Sequence, residues 1–288
     1  MSKLAATLPV ARRLWLGATA YQYRSARHFA ERGQAGLFAI REAHARTVST
    51  GASVYNLRDS GLRVAVRHGS TDAMVLDEIF SHQCYALPKP VRAILGRLGR
   101  PPRILDLGGH IGLFGLYVLG LYPGAEITSV EPDPSNLRLL ETCVRLNALE
   151  EQWTIVRACA GAVDGSANFV SRGPSHGEFS LSHITHSSGQ GLLRVPVCDV
   201  LPLMESVDLV KFDIQGSEWE ILRDPRLPAV RTPAVVLEYH PYLCPEERAF
   251  LCATRLLTSA GYELGPHVES VEGEGTLWAW LRSGADAA

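Results

Sequence analysis

From Arg103 to Leu281, short apolar runs alternate with longer segments of helical periodicity, and few architectures accept that alternation. The runs are Ile104–Leu107, Ile127–Glu131, Trp153–Ala158, Val207–Ile214 and Ala234–Tyr239, with two more at 262–270 and 275–281. Apolar strands separated by helices predict a mostly parallel α/β sheet of seven strands, covered on both faces. One helix should follow the first strand as far as Leu121, and another should span Pro245–Ser259. A third should start at Asp133-Pro134, with Asp as N-cap, Pro at the first helical position and Leu137, Leu140 and Val144 on its apolar face. Between strands three and four no helical pattern appears. Residues 164–200 are rich in Gly, Ser and His and alternate in polarity, which predicts a β-type insertion with its tip near the substrate.

Upstream, residues 1–50 read as mainly helical, and residues 52–67 as a hairpin turning at Asp59-Ser60-Gly61. Residues 71–83 read as an amphipathic helix with Met74, Val75, Ile79 and Phe80 on its apolar side. We therefore expect a helical and hairpin segment, 1–100, packed on a ligand-binding domain, 101–288.

Charge and cysteine usage narrow the function classes. The 28 Lys+Arg and 30 Asp+Glu residues leave a formal charge of -2, which gives no global attraction for nucleic acid. Residues 1–50 are locally basic, with eight Lys/Arg against Glu31 and Glu42, which suits a helical extension packed on the main domain. Arg12 and Arg13 interrupt the only early apolar stretch, so no signal-peptide pattern forms. The longest uncharged run, Leu107–Ala125, carries six glycines and a proline; a strand–turn–helix unit explains these better than a membrane span does. The six cysteines are scattered without a C-x-x-C pair, as in a cytoplasmic protein with reduced thiols. The oligomeric state stays open, homo-oligomer included.

The chemistry-bearing stretch is Asp106-Leu107-Gly108-Gly109-His110-Ile111-Gly112. A strand runs into a glycine turn that opens a helix, where backbone can approach a ligand closely and unpaired N–H groups are available. The spacing D-x-G-x-x-x-G is not the dinucleotide G-x-G-x-x-G. Glu131, at the end of the next strand, can accept hydrogen bonds from the two ribose hydroxyls of a nucleoside.

Three blocks then occur in order: Ile104–Phe114, Val130–Leu137 and Asp208–Leu222. Together they resemble the signature blocks of the FkbM-type S-adenosylmethionine-dependent methyltransferases. Similarity extends over roughly 55–282, through Gly69–Ala73 and Cys84-Tyr85 upstream and Val236–Pro241 and Gly275–Ala279 downstream. The resemblance implies a Rossmann-like seven-stranded class I methyltransferase sheet with S-adenosyl-L-methionine as cofactor. It implies that Asp106, Gly108, Gly109, His110 and Gly112 hold the methionine end, with Glu131 and the neighbouring Asn136 at the ribose. Cys159 would lie by the adenine and Asp213 near the reacting methyl, with Tyr85, Gln215 and Glu238 on the substrate side. Two positions depart from the family pattern. His110 stands where the family has Asn, and Gln215 stands where it has Glu, which removes an acid or base there.

The implied reaction is O-methylation of a hydroxyl on a small natural product or sugar, and a hydroxyl acceptor needs a base within reach. His240, leaving strand five, and Asp213, ending strand four, are the expected catalytic residues. A neutral histidine base would make the rate fall below pH about 6.5. Glu238 and His240 share a strand face and with Asp213 form a metal-compatible set, but a hydrogen-bonded cluster is the simpler expectation, and no metal is predicted. His183 and His186 read as solvated loop residues. The rivals are an N-methyltransferase on the same fold, a nicotinamide-dependent oxidoreductase, which the missing third glycine opposes, and a non-catalytic cofactor-binding protein.

Overall fold

The structure, a computed structural model, describes residues 10–31, 33–45, 51–171, 183–185 and 192–281. Helices α1 (Val10–Phe29) and α2 (Ala35–Ala45) precede a hairpin of β1 (Ala52–Asn56) and β2 (Arg63–Arg67). The hairpin turns at 58–61, where Gly61 takes the positive φ that the turn requires. Helix α3 (Asp72–Phe80) ends at Ser81, short of the expected residue 83, because the chain reverses there and Gln83 adopts φ +54°. Helix α4 (Lys89–Gly96) was not foreseen; Pro90 opens its first turn, and Val91 and Leu95 face inward.

The main sheet starts with β3 (Arg103–Leu107), α5 (Leu113–Leu121), β4 (Glu126–Val130), α6 (Pro134–Leu146) and β5 (Trp153–Val156). Next come β6 (Cys159–Gly161), β7 (Gly165–Val170), β8 (His183–Thr185), β9 (Leu193–Asp199) and a short helix, α7 (Leu201–Met204). The chain returns through β10 (Leu209–Phe212), α8 (Glu218–Leu222), β11 (Ala234–Tyr239), α9 (Ala249–Ser259), β12 (Tyr262–Glu269) and β13 (Gly275–Leu281). Helix α9 starts four residues later than expected, since Arg248 is extended (φ -116°, ψ 102°) and acts as N-cap.

Seven strands pair in the order β12-β13-β11-β10-β3-β4-β5. β13 is antiparallel to both its neighbours, and the other pairings are parallel. This is the Rossmann-like, mostly parallel seven-stranded sheet that the alternation of strands and helices predicts. The chain winds outward from β3 to β5, then returns through β10 on the other side of β3. Neighbouring parallel strands whose connections leave in opposite directions open a crevice at their carboxyl ends, where ligands of open α/β sheets bind. Instead of a helix, residues 159–199 build a second sheet ordered β6-β9-β7-β8, the expected β-type insertion. Its tip lies outside the described residues, as does His186; His183 begins β8.

The central strands β3, β10 and β11 are buried on both faces, as their unbroken apolar runs required. One layer of core joins the sheet to the N-terminal segment: Phe38, Tyr55 and Val91 share a cluster with Ile104, Ile111 and Trp153. The rings of Phe29, Phe38 and Tyr55 meet edge to face at 5.1 Å. The opposite layer packs Leu105, Phe212 and Leu237 under Trp219 and Leu257. Among the described residues, no helix is long and apolar enough to cross a membrane.

Candidate functional site

The glycine turn after β3 is dictated by close approach. Gly108 has φ +80°, and a Cβ there would lie 1.8 Å from the carbonyl oxygen of Asp213 on the neighbouring strand end. Only glycine fits. Gly112, φ +90°, caps α5, and its Cβ would press to 2.7 Å from Leu140. The N–H groups of Gly108 and Gly109 both donate to Val130 O, at 3.0 and 3.1 Å, which locks the turn onto β4. His110, which follows them, is left-handed at φ +49°, and this aims its backbone N–H at Glu131 Oε2, 2.7 Å away.

Glu131 is the acceptor at the centre of this arrangement. Its Oε1 takes hydrogen bonds from Asp133 N at 2.9 Å and Asn136 Nδ2 at 3.2 Å. The residue is only 4% exposed, and burial outweighs those donors, pushing its pKa up to about 7. Asp133, as expected, caps α6 by accepting from Ser135 N and Asn136 N.

The other wall carries more charge than the sequence reading assigned to it. Lys211, 3% exposed in the apolar strand β10, lies 3.2 Å from Asp106 Oδ1 and 3.5 Å from Asp213 Oδ2. It donates to Gly108 O at 3.1 Å and sits over the rings of Tyr85 and Phe114. Burial alone would lower its pKa, yet the carboxylates of Asp106, Asp213 and Glu238 raise it, so it stays an ammonium. For Asp106, desolvation outweighs the lysine and its pKa rises. For Asp213 the balance goes the other way, because Lys211 and His240 hold it ionised below its ordinary range.

Gln215 links the groups at the far end of the crevice. Its backbone is left-handed (φ +51°), and its Nε2 stands 3.1 Å from Asp213 Oδ1 and 3.0 Å from His240 Nε2. Tyr242 Oη donates to Gln215 Oε1. The other imidazole nitrogen of His240, Nδ1, lies 3.1 Å from Oε1 of the fully buried Glu218. Burial would lower the His240 pKa, but Glu218, Asp213 and Glu238 together push it up to about 9. Glu238 accepts from Tyr85 Oη at 2.5 Å; desolvation, then the charge of Asp213, raise it to about 7. One ligand-type atom each from Asp213, Glu238 and His240 lies within 4.8 Å of the others, as the shared strand face of residues 238 and 240 required.

The cleft at these strand ends is bordered by Gly108, Gly109, His110, Glu131, Asn136 and Cys159 and by Asp213, Gln215 and Tyr85. Four residues expected at the site do not line it. Asp106 and Gly112 lie behind the turn and shape it, and Glu238 and His240 lie behind Tyr85 and Gln215. His240 is 2% exposed and has both ring nitrogens in contact with protein groups. It therefore meets the cleft through Gln215, and a pKa of about 9 replaces the ordinary value near 6.5.

The sequence reading also missed residues. Lys211 carried a signal, being a lone charge in a run that must be buried on both faces, where a charge needs partners. Val75 and Ile79 of α3, and Phe169 and Ile184 of the insertion, complete the apolar walls and carried none.

Comparison with known proteins identifies the family. The profile described as "Methyltransferase FkbM domain" matches residues 106–264, more than half of the chain. Among curated proteins, "Methyltransferase 1" of Beauveria bassiana (strain ARSEF 2860) is 26% identical over 210 residues, covering 64% of this chain and 78% of that protein. "Methyltransferase sdnD" of Sordaria araneosa is 26% identical over 184 residues, covering 52% and 67%. Among solved structures, methyltransferase FkbM from Methylobacillus flagellatus KT superposes with a TM-score of 0.46 at 14% identity, over 94% of this chain and 60% of that longer one.

Proposed function

The chain belongs to the FkbM methyltransferase family, and from that premise we propose that it transfers the methyl group of S-adenosylmethionine to a hydroxyl of a small molecule. The observation that carries the cofactor assignment is Glu131. A buried carboxylate on the cleft wall keeps acceptor capacity beyond its three protein donors, one β-strand from a glycine turn. The residues present fit the cofactor. Its nucleoside hydroxyls suit Glu131, the adenine suits the apolar wall at Cys159, and the methionine end suits the turn at Gly108–His110. His110 Nδ1 on that wall is buried and has no hydrogen-bond partner among the described residues, so a polar ligand group is in order there. Asn136 supports Glu131, and Asp106 and Gly112 support the turn.

When bound, the cofactor supplies a methyl group already activated on a sulfonium, so the protein's task is chiefly alignment. Asp213 is the group we assign to the acceptor hydroxyl, because it lines the cleft with Lys211 and Gln215 fixing its carboxylate. Base strength is not limiting for this role: an oxygen that is gaining a methyl group becomes a strong acid, and even a carboxylate of depressed pKa takes its proton. His240 and Glu238 set the charge around Asp213 from behind Gln215 and Tyr85. This assignment needs no metal ion, since an ammonium and an amide N–H already face the Asp213 carboxylate.

The test is a mass-spectrometric screen of cell metabolites with pure protein and labelled S-adenosylmethionine. Products heavier by about 14 Da, the mass of one CH₂, carry the label on oxygen if this reading is right. Label on nitrogen would move the assignment to N-methylation. Tight NAD binding with no heat from S-adenosylmethionine or S-adenosylhomocysteine would overturn it. Activity lost with EDTA and restored by Mg²⁺ or Mn²⁺ would turn Asp213, Glu238 and His240 into ligands.

A further inference from the structure

Five residues close a ring of hydrogen bonds and one ion-pair contact around the cofactor end of the cleft, and two of them come from upstream of the family match. Starting at Glu131, Asn136 Nδ2 donates to Oε1 at 3.2 Å. Asn136 Oδ1 accepts from Arg67 Nη2 at 2.7 Å. The same Arg67 nitrogen donates to Asp72 Oδ1 at 2.8 Å, while Arg67 Nε donates to Asp72 Oδ2 at 2.8 Å. Asp72 Oδ1 lies 3.1 Å from His110 Nε2. His110 N then donates to Glu131 Oε2 at 2.7 Å, which closes the circuit. Arg67 ends β2 and Asp72 opens α3, both ahead of residue 106, where the family match begins.

We infer that Arg67 and Asp72 are positioning residues for cofactor binding, which hold Glu131 in place through Asn136 on one side and His110 on the other. Burial and directionality support this. Asp72 and Asn136 are 0% and 2% exposed, so neither can exchange its partners for water without cost. Asp72 is acceptor-only when ionised, and the charges of His110 and Arg67 overcome burial and hold its pKa well below the ordinary range. It can therefore hold both the Arg67 guanidinium and the His110 ring, whose Nε2 lies 3.1 Å from its Oδ1. A histidine at position 110 thus suits this chain because Asp72 is there to anchor it. The helical and hairpin segment becomes part of the binding site as well as a packing layer.

The inference rests on the cofactor reading above, and the test separates the two. Isothermal titration would measure Kd for S-adenosylhomocysteine and for its 2′,3′-dideoxy analogue, which has no hydroxyls for Glu131. The wild type, Arg67→Lys, Asp72→Asn and the double variant Asp72→Asn/His110→Asn would be compared, with melting temperature as a check on folding. Each single variant is expected to weaken S-adenosylhomocysteine about tenfold and to leave the dideoxy analogue within about twofold. The double variant should bind little more weakly than Asp72→Asn alone, because both substitutions cut the same arm. Equal losses for both ligands would mean general destabilisation and would overturn the inference, as would unchanged affinity in both single variants. A wild type that binds neither ligand would instead remove the cofactor reading itself, and this inference with it.

Discussion

Replacing Glu131 by Gln tests the cofactor site most directly, because the substitution keeps the shape and removes the charge. An ionised carboxylate offers roughly four lone-pair directions, and protein donors from His110, Asp133 and Asn136 take three of them. At least one remains for a ribose hydroxyl. A hydrogen bond to a charged group is worth about 1.5–3 kcal/mol, so losing it should weaken the cofactor about 30-fold, or about 2 kcal/mol. The amide adds a second cost. Whichever way it turns, its NH₂ meets a donor: His110 N on one side, Asp133 N and Asn136 Nδ2 on the other.

The pH dependence supplies the sharper readout. Burial lifts Glu131 to a pKa of about 7 in the ligand-free protein, and ribose hydroxyls favour its ionised form. Binding is then linked to proton release. Wild-type affinity should be highest above pH 7 and should fall as pH drops through 7, by up to about tenfold per unit. Isothermal titration with S-adenosylhomocysteine at pH 6, 7 and 8 would show a slope for the wild type and a flat line for Glu131→Gln, with the two converging toward acid. A variant within twofold of the wild type at pH 8, or one that keeps the slope, would refute the reasoning and leave Asp133 as the next carboxylate to test.

Asp213→Asn should lower kcat by about two to four orders of magnitude while the cofactor Kd stays near normal; steady-state kinetics beside titration separates the two, and a fully active variant would end its assignment. His240 has a pKa raised from 6.5 to about 9, so its contribution to stability is complete below 6.5 and is lost as pH rises through 9. Thermal unfolding should therefore show the wild-type Tm declining between pH 7 and 9 more steeply than that of His240→Asn, and parallel curves would contradict this. Gly108→Ala combines φ +80° with a Cβ 1.8 Å from a backbone oxygen. It should cost more than about 3 kcal/mol and yield little folded protein, and a normal melting temperature would show that the turn can relax.

What the sequence disclosed and what it hid divide along a physical line. Strands buried on both faces must be continuously apolar, so β3, β4, β10 and β11 stood out, and strand parity correctly placed Glu238 and His240 together. A glycine required by close approach is equally visible, as at Gly108. By contrast, nothing local announces that Gln215 takes a left-handed backbone, since the adjacent Gly216 also has positive φ and would by itself satisfy a tight turn. Yet that conformation carries the Gln215 amide between Asp213 and His240, and it decides which of the two meets the cleft. The helix expected from Pro245 failed for a related reason: helix-compatible residues precede Ala249, but Arg248 is held extended.

The pairs that set charge are the least legible, because each joins residues far apart in the chain. Lys211 meets Asp106 across 105 positions, and Arg67 meets Asn136 across 69. A motif reading recognises one member of each pair and misses the other. Asp106 was read as a ligand-binding residue because of its place in the glycine motif; it does not border the cleft, and its Oδ1 faces Lys211 behind the turn. Position in a motif therefore identifies the element that forms a site, and only the partner of each buried charge identifies which side chain is left to face the ligand. Of the carboxylates gathered here, Glu131 and Asp213 are the two that border the cleft.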